Sequence, residues 1–185
     1  MITYRGPLKQ ILAFWLTASF IWAAEGIPNI AGVEARVYFS PNGGCTDAIV
    51  HEIENAKTDI HVQAYSFTSK PIQVALRNAK GRGLDVSVIL DASQRTEKYS
   101  GADFIAHGGI SVVIDEKPAI AHSKVMIIDQ QIVITGSFNF TSAAESKNVE
   151  NLLILRSELL AKEYLKNWNA RHTASVPFLP KDERK

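Results

Sequence analysis

The chain has 185 residues, 46% of them apolar and 21% charged, with a formal net charge of +1. That length suits one domain with a real core, while the near-neutral balance excludes a strong global attraction to polyanions, so any nucleic acid would have to be met by a local basic patch. A single cysteine, Cys45, excludes an intrachain disulfide framework and leaves an unpaired thiol or an intersubunit bond in an oxidising compartment.

The first 26 residues do not read as part of the fold. Arg5 and Lys9 form a positive start, Ile11 to Ala24 is an uncharged apolar run, and Ala24-Glu25-Gly26 offers small residues at a cleavage site. This is the pattern of a secretory signal peptide and predicts an exported product, periplasmic or secreted. The run is shorter than the ~20 apolar residues of a membrane span, which makes an uncleaved N-terminal membrane anchor the alternative and a buried helix a distant third. Removing residues 1–26 takes away Arg5, Lys9 and Glu25, and the formal charge falls from +1 to zero.

Residues 27–176 read as a single domain in which strand and helix alternate. Glu34 to Ser40 predicts a strand, Pro41-Asn42-Gly43-Gly44 a loop, and Cys45 or Thr46 the start of a helix reaching about Lys57. Gly43-Gly44 ahead of that helix is a weak anion-binding signal, and a plain tight loop is the simpler reading. Asp59 to Tyr65 is a second strand, and Gln63 to Phe67 ends it where a site rim would lie. Ser69-Lys70-Pro71 opens a helix, because Ser caps and Pro fits the first turn; that helix runs to about Lys80. Leu84 to Leu90 is a β-branched third strand, Lys98 to His107 a helix, and Ile110 to Ile114 a fourth strand. Glu158 to about His172 is the closing helix, and 177–185 reads as a polar, loose tail. The alternation argues for an α/β fold, a mixed β-sheet flanked by helices on both faces.

The stretch between the fourth strand and the closing helix carries the chemistry. His122 and Lys124 stand two apart at the head of the apolar run Val125-Met126-Ile127-Ile128, so in a strand they project to one face. Asp129 closes that strand, Gln130-Gln131 can turn the chain, and Ile132 to Thr135 forms the next. Gly136-Ser137-Phe138-Asn139 then places a hydroxyl and a carboxamide just past the strand end, and Glu150 precedes the apolar strand Leu152 to Leu155. Together these residues suit a phosphate site with a nucleophile: Lys124 brings a compact positive charge, Ser137 and Asn139 neutral donors, His122 a nucleophile or proton shuttle, and Glu150 a group to orient its ring. No Cys or second His lies at metal-ligand spacing, so neither a metal nor another cofactor is expected.

The spacing His122-x-Lys124-(x4)-Asp129-(x6)-Gly136-Ser137-x-Asn139 resembles the HKD signature of the phospholipase D superfamily, and Glu150 falls where the small bacterial members place the acid that holds the nucleophilic His. The resemblance implies a phospholipase D-like sandwich and metal-independent phosphodiester hydrolysis through a covalent phosphohistidine. Each site residue also has a plain reading. A lone strand His is usually structural, Lys124 alone would be a solvated strand-end charge, and Ser137 and Asn139 could cap a turn; it is their joint spacing that favours catalysis. Asp129 has the opposite strand parity and is assigned a supporting, hydrogen-bonding role. The other histidines, His51, His61, His107 and His172, lack the partner lysine and read as surface or core residues.

One histidine cannot be nucleophile and general acid at the same instant. Larger superfamily members carry two such motifs and this chain carries one, so the resemblance implies a homodimer with one site on a two-fold axis, holding His122, Lys124, Ser137 and Asn139 from both subunits. The favoured substrate is the DNA or RNA backbone, cut without sequence preference, because a chain this short has little room for a deep acyl-chain pocket. Lys70, Arg82, Arg95 and Lys98 are the candidate backbone contacts outside the motif. Hydrolysis of phosphatidylcholine, with the phospholipid head group as ligand, is the alternative. A non-catalytic phosphate-binding envelope module is a third reading, opposed by the filling of every catalytic position.

Overall fold

Strands buried on both faces read as continuous apolar runs, and strands at a sheet edge alternate. By that rule β3 (Asp85–Asp91) and β5 (Lys124–Ile128), buried along nearly their whole length, belong at the centre, and β1 (Glu34–Ser40), with alternate residues exposed, belongs at an edge. The computed structural model, which describes residues 32–180, has this arrangement. The other strands are β2 (Asp59–Ala64), β4 (Ser111–Asp115), β6 (Ile132–Gly136), β7 (Glu150–Arg156) and β8 (Val176–Pro177). They form one eight-stranded sheet in the order β1-β7-β6-β5-β2-β3-β4-β8. The β2–β3 and β3–β4 pairs are parallel and the rest antiparallel, so the sheet is mixed.

Helices cover both faces. On one lie α1 (Cys45–Asn55), α2 (Lys70–Gly81), α3 (Ala102–Ala106) and α4 (Ser142–Ser146), packed over the main core with Ile49, Ile53, Ile72 and Leu76 at its heart. On the other lies α5 (Glu158–Ala174), whose Ala161 and Trp168 pack on Ile89, Val113, Val125, Ile127 and Val133. Trp168 also donates its indole N–H to the Val62 carbonyl at 2.9 Å. Glu52 of α1, 1% exposed, accepts from Arg36 of β1 and Arg156 of β7, which ties the helix to the edge pair. α5 stops short of this edge. Val37 and Phe39, whose register partners on β7 are Leu153 and Asn151, remain 53% and 63% exposed on the α5 face.

Several elements differ in extent from the sequence reading. α1 ends at Asn55 because the Lys57 and Thr58 N–H groups donate to the Asp129 carboxylate instead of to helix carbonyls. The helix expected over Lys98 to His107 begins only at Ala102, where the Ser100 hydroxyl accepts from the Ala102 N–H; a 3₁₀ turn, Ala92–Arg95, precedes it. The β5–β6 turn is centred on Asp129-Gln130, both at positive φ, with the Gln131 N–H bonded to the Ile128 carbonyl, rather than on Gln130-Gln131. The segment read as a loose tail begins inside the sheet: Pro177 pairs with Val113, and Phe178 is buried with its N–H on the Val112 carbonyl. The expected signal peptide, residues 1–26, lies outside the described residues.

Candidate active site

Five strand ends converge at one edge of the sheet: the C-terminal ends of β2, β3 and β6 and the N-terminal ends of β5 and β7. His122 stands one turn of chain before β5, its imidazole exposed. Its approach is fixed from two sides. The Asp91 carboxylate, at the end of β3, accepts from the Ala121 N–H at 2.7 Å, and the Tyr65 N–H donates to the Ser123 carbonyl at 2.9 Å. The Tyr65 ring then lies against the imidazole, centroids 4.5 Å apart and tilted 53°. Burial alone would raise the Asp91 pKa, but hydrogen bonds from Ser93, Ala121 and Ala92 outweigh it and hold the carboxyl below its usual range. Asp91 is a positioning residue that the sequence reading missed, since an Asp at the end of an apolar strand carries no motif. Tyr65 lies in the stretch assigned to the rim.

Lys124, 7% exposed, reaches back along β5 with its ammonium 2.9 Å from His122 Nδ1 and 2.8 Å from the His122 carbonyl, 5.0 Å from the centre of the Tyr65 ring. Burial pulls its pKa below the ordinary lysine value, opposed in part by the negative charge of Glu150. A lysine ammonium can only donate, so this contact leaves the neutral imidazole with its proton on Nε2, facing solvent.

Ser137 and Asn139 follow β6 through Gly136, whose φ of 148° and approach to β7 leave no room for a side chain: a Cβ there would lie 2.3 Å from the Asn151 carbonyl oxygen. Ser137 Oγ donates to Glu150 Oε2 at 2.6 Å and accepts from the Asn151 N–H at 3.1 Å. The other Glu150 oxygen accepts from Asn148 Nδ2 at 3.0 Å. Glu150 therefore sits beside Lys124 and is engaged with Ser137 and Asn148, while His122 Nδ1 faces Lys124. Asn139 has its side-chain oxygen buried without a hydrogen-bond partner in the chain, the state of a group awaiting one from a ligand.

Asp129 is not at this site. It closes the opposite end of β5, roughly 16 Å from Lys124 at the usual strand rise, and its carboxylate accepts from the backbone N–H groups of Lys57, Thr58 and Asp59 and from the Thr58 hydroxyl. Burial raises its pKa, but the Thr58 and Lys57 bonds prevail and hold it below the ordinary aspartate value. The stability it adds is therefore full above about pH 4 and is lost as pH falls through the lower folded value. Asp129→Ala should cost about 2–3 kcal/mol, read as a lower melting temperature at pH 7 that converges on wild type at acid pH. An equal deficit at pH 7 and pH 2.5 would show that the carboxylate charge is not what holds the turn.

Two of the four proposed backbone-contact cations are elsewhere engaged. Arg82, at the far end of α2, donates to the Ile53 and Ala56 carbonyls, and Arg95 is paired with Glu116. Lys70 and Lys98 line a groove of about 1090 Å³ that Tyr65 and Asn139 also line. Cys45 is fully buried; burial and the negative charge of Glu145 push its thiol up to about 11. The start of α1 is filled from within, because the Glu145 carboxylate accepts from the Gly44 and Thr46 N–H groups. Among the described residues no group of three or more His, Cys, Asp or Glu could hold a metal ion.

Residues 49–171 match the family model described as cardiolipin synthase, PLD-like domain. The chain is 42% identical over 153 residues to a phospholipase D of Rickettsia typhi, covering 82% of this chain and 75% of that protein. It is 45% identical over 149 residues to the phospholipase D of Rickettsia prowazekii, covering 80% and 73%. Among solved structures, Nuc from Salmonella typhimurium, a phospholipase D family member, superposes with a TM-score of 0.76 at 39% identity, over 79% of this chain and 98% of that one. The mixed sheet, its helices on both faces and the agreement in sequence come to one conclusion: the chain belongs to the phospholipase D superfamily and is a phosphodiesterase.

Proposed function

We propose that the chain is a metal-independent endonuclease that cuts nucleic-acid backbones without reading sequence, through a covalent phosphohistidine at a site shared by two subunits. The observation that carries this reading is the exposed His122 imidazole held against Lys124, together with the buried, unsatisfied side-chain oxygen of Asn139. In the attack, Nε2 of one His122 bonds to phosphorus and the P–O bond to the leaving alkoxide breaks, with the alkoxide taking a proton from His122 of the second subunit. Water, deprotonated by that same second imidazole, then attacks phosphorus and releases the first histidine with both protonation states restored. Lys124, Ser137 and Asn139 neutralise the non-bridging oxygens.

The two roles need different protonation states, an imidazolium for the acid and a neutral ring with a free Nε2 lone pair for the nucleophile. With Lys124 donating to Nδ1, the neutral His122 ring carries its proton on Nε2, and it must take up a second proton, on Nδ1, before it can act as the acid. To become the nucleophile it must hold its proton on Nδ1, and Glu150, released from Ser137 and Asn148 as substrate claims the serine, is the carboxylate within the site to accept it. A surface for the second copy is offered by Val37 and Phe39, left uncovered by α5, which lie along β1 on the way to Ser40 and its register partner Glu150. An exposed apolar patch at that position favours an isologous contact that brings two such edges together.

The test is a side-by-side assay of the purified protein on single-stranded DNA, RNA and phosphatidylcholine vesicles, with and without excess EDTA. Oligonucleotides of unrelated sequence should be cut at similar rates, and EDTA should leave the rate unchanged. Turnover of phosphatidylcholine to phosphatidate with DNA left intact would move the same His122 chemistry to lipid. Inactivation by EDTA reversed by a divalent metal would remove the phosphohistidine mechanism.

A further inference from the structure

The groove that Tyr65 and Asn139 line is larger than a phosphate site requires. At about 1090 Å³ it exceeds the ~300–1,000 Å³ of a pocket for a small ligand. It runs past α2 and the turn before α3, and its walls are unusually apolar for a water-facing surface: Tyr99, Val74 and Phe104 are 70%, 46% and 40% exposed. Each ring has a cation beside it. Lys98 Nζ lies 5.3 Å from the centre of the Tyr99 ring, and the Arg77 guanidinium 4.4 Å from that of Phe104. Lys70, at the first position of α2, adds a further positive charge to the wall, against the single carboxylate of Glu97.

We propose that this groove is the track for the single-stranded nucleotides flanking the cleaved phosphate, with Tyr99 and Phe104 as stacking platforms for bases and Lys70 and Lys98 as contacts for their phosphates. The proposal rests on the nucleic-acid reading of the site and names the part of the surface that reads out strandedness. A base and its phosphate need an aromatic face with a cation a few ångströms away, which is the pattern along this wall. An acyl chain needs enclosure, and a trough whose largest ring is 70% exposed would leave it wet. Stacking accepts every base, in keeping with cleavage that ignores sequence, and a paired base has no face to offer, so duplex DNA should enter poorly.

The experiment reads binding in the non-cleaving His122→Ala protein, with a ten-nucleotide single strand carrying 2-aminopurine near its centre. Binding should quench 2-aminopurine fluorescence, the signature of stacking. Tyr99→Ala with Phe104→Ala should weaken Kd by about tenfold or more and abolish the quench, while Tyr99→Trp retains both; circular dichroism should show the fold intact, as both side chains are exposed. Unchanged Kd and quench in the double variant would overturn the proposal. So would the same double substitution in the protein that keeps His122, if turnover of phosphatidylcholine vesicles is lost while the His122→Ala form still binds the strand normally, which would make the groove an acyl-chain track. A wild-type protein that binds and quenches through these rings yet cuts no nucleic acid would sink the endonuclease reading and leave the groove assigned.

Discussion

His122→Ala should lower diester hydrolysis by at least about 10⁴-fold, because it removes the bond-forming atom rather than a supporting contact. The loss should appear with a small soluble diester as much as with DNA, since no binding surface beyond the phosphate is involved. Stability should change little. The ring is exposed and touches mainly Tyr65 and Lys124, and exposed positions away from the core usually move stability by less than about 0.5 kcal/mol. Wild type incubated with a diester labelled at phosphorus and quenched in alkaline denaturant should yield label on His122, since the P–N bond of a phosphohistidine survives base and is cleaved by acid. A variant retaining a tenth of wild-type activity, with normal melting, would put the nucleophile elsewhere.

Mixing experiments should show an effect nearly as large. If each site needs two imidazoles, wild type exchanged with a nine-fold excess of His122→Ala subunits should retain about a tenth of the activity its wild-type subunits show alone, because about nine in ten of them then pair with a dead partner. Phe39→Glu should act through the same requirement. It sets a charge on the uncovered patch of β1, about 63% exposed in the single chain, so the fold should survive while dimers dissociate and activity falls with them. Sedimentation at assay concentration would relate the two. Activity strictly proportional to the wild-type subunits present, or a fully active Phe39→Glu monomer, would remove the shared site.

The parts of this molecule that sequence conveys well are those set by long periodic runs. β3 and β5 announce themselves because central strands carry near-continuous apolar runs, and α2 because Ser69 and Pro71 mark its start. The motif residues are legible for a different reason, since phosphate chemistry demands particular side chains at strand ends. What escapes is set by contacts distant in sequence. Asp91 is meaningful only because Ala121 lies 30 residues away, and α1 loses its last turn to Asp129, whose bonds to Lys57 and Thr58 no local propensity encodes. The helix α4, five residues long and capped by the Thr141 side chain, is too short to show a period. Arg82 resembles a phosphate contact in composition, and only the packing of α2 against α1 turns it to internal carbonyls. The partners of Glu150 likewise depend on how far Ser137 and Asn148 approach it, a matter of ångströms rather than spacing.

The two residues of β8 have a consequence out of proportion to their number. β4 is short and apolar, and without Val176 and Pro177 it would present a row of unsatisfied amides and carbonyls to any neighbouring chain. Such an edge is a template for intermolecular strand addition. The proline closes the row without offering a donor of its own, and the buried ring of Phe178 pins the segment in place. Resistance of this sheet to polymerisation through its β4 side is thus held by a segment that takes no part in the chemistry, and colloidal behaviour and catalysis are separable properties of the same chain.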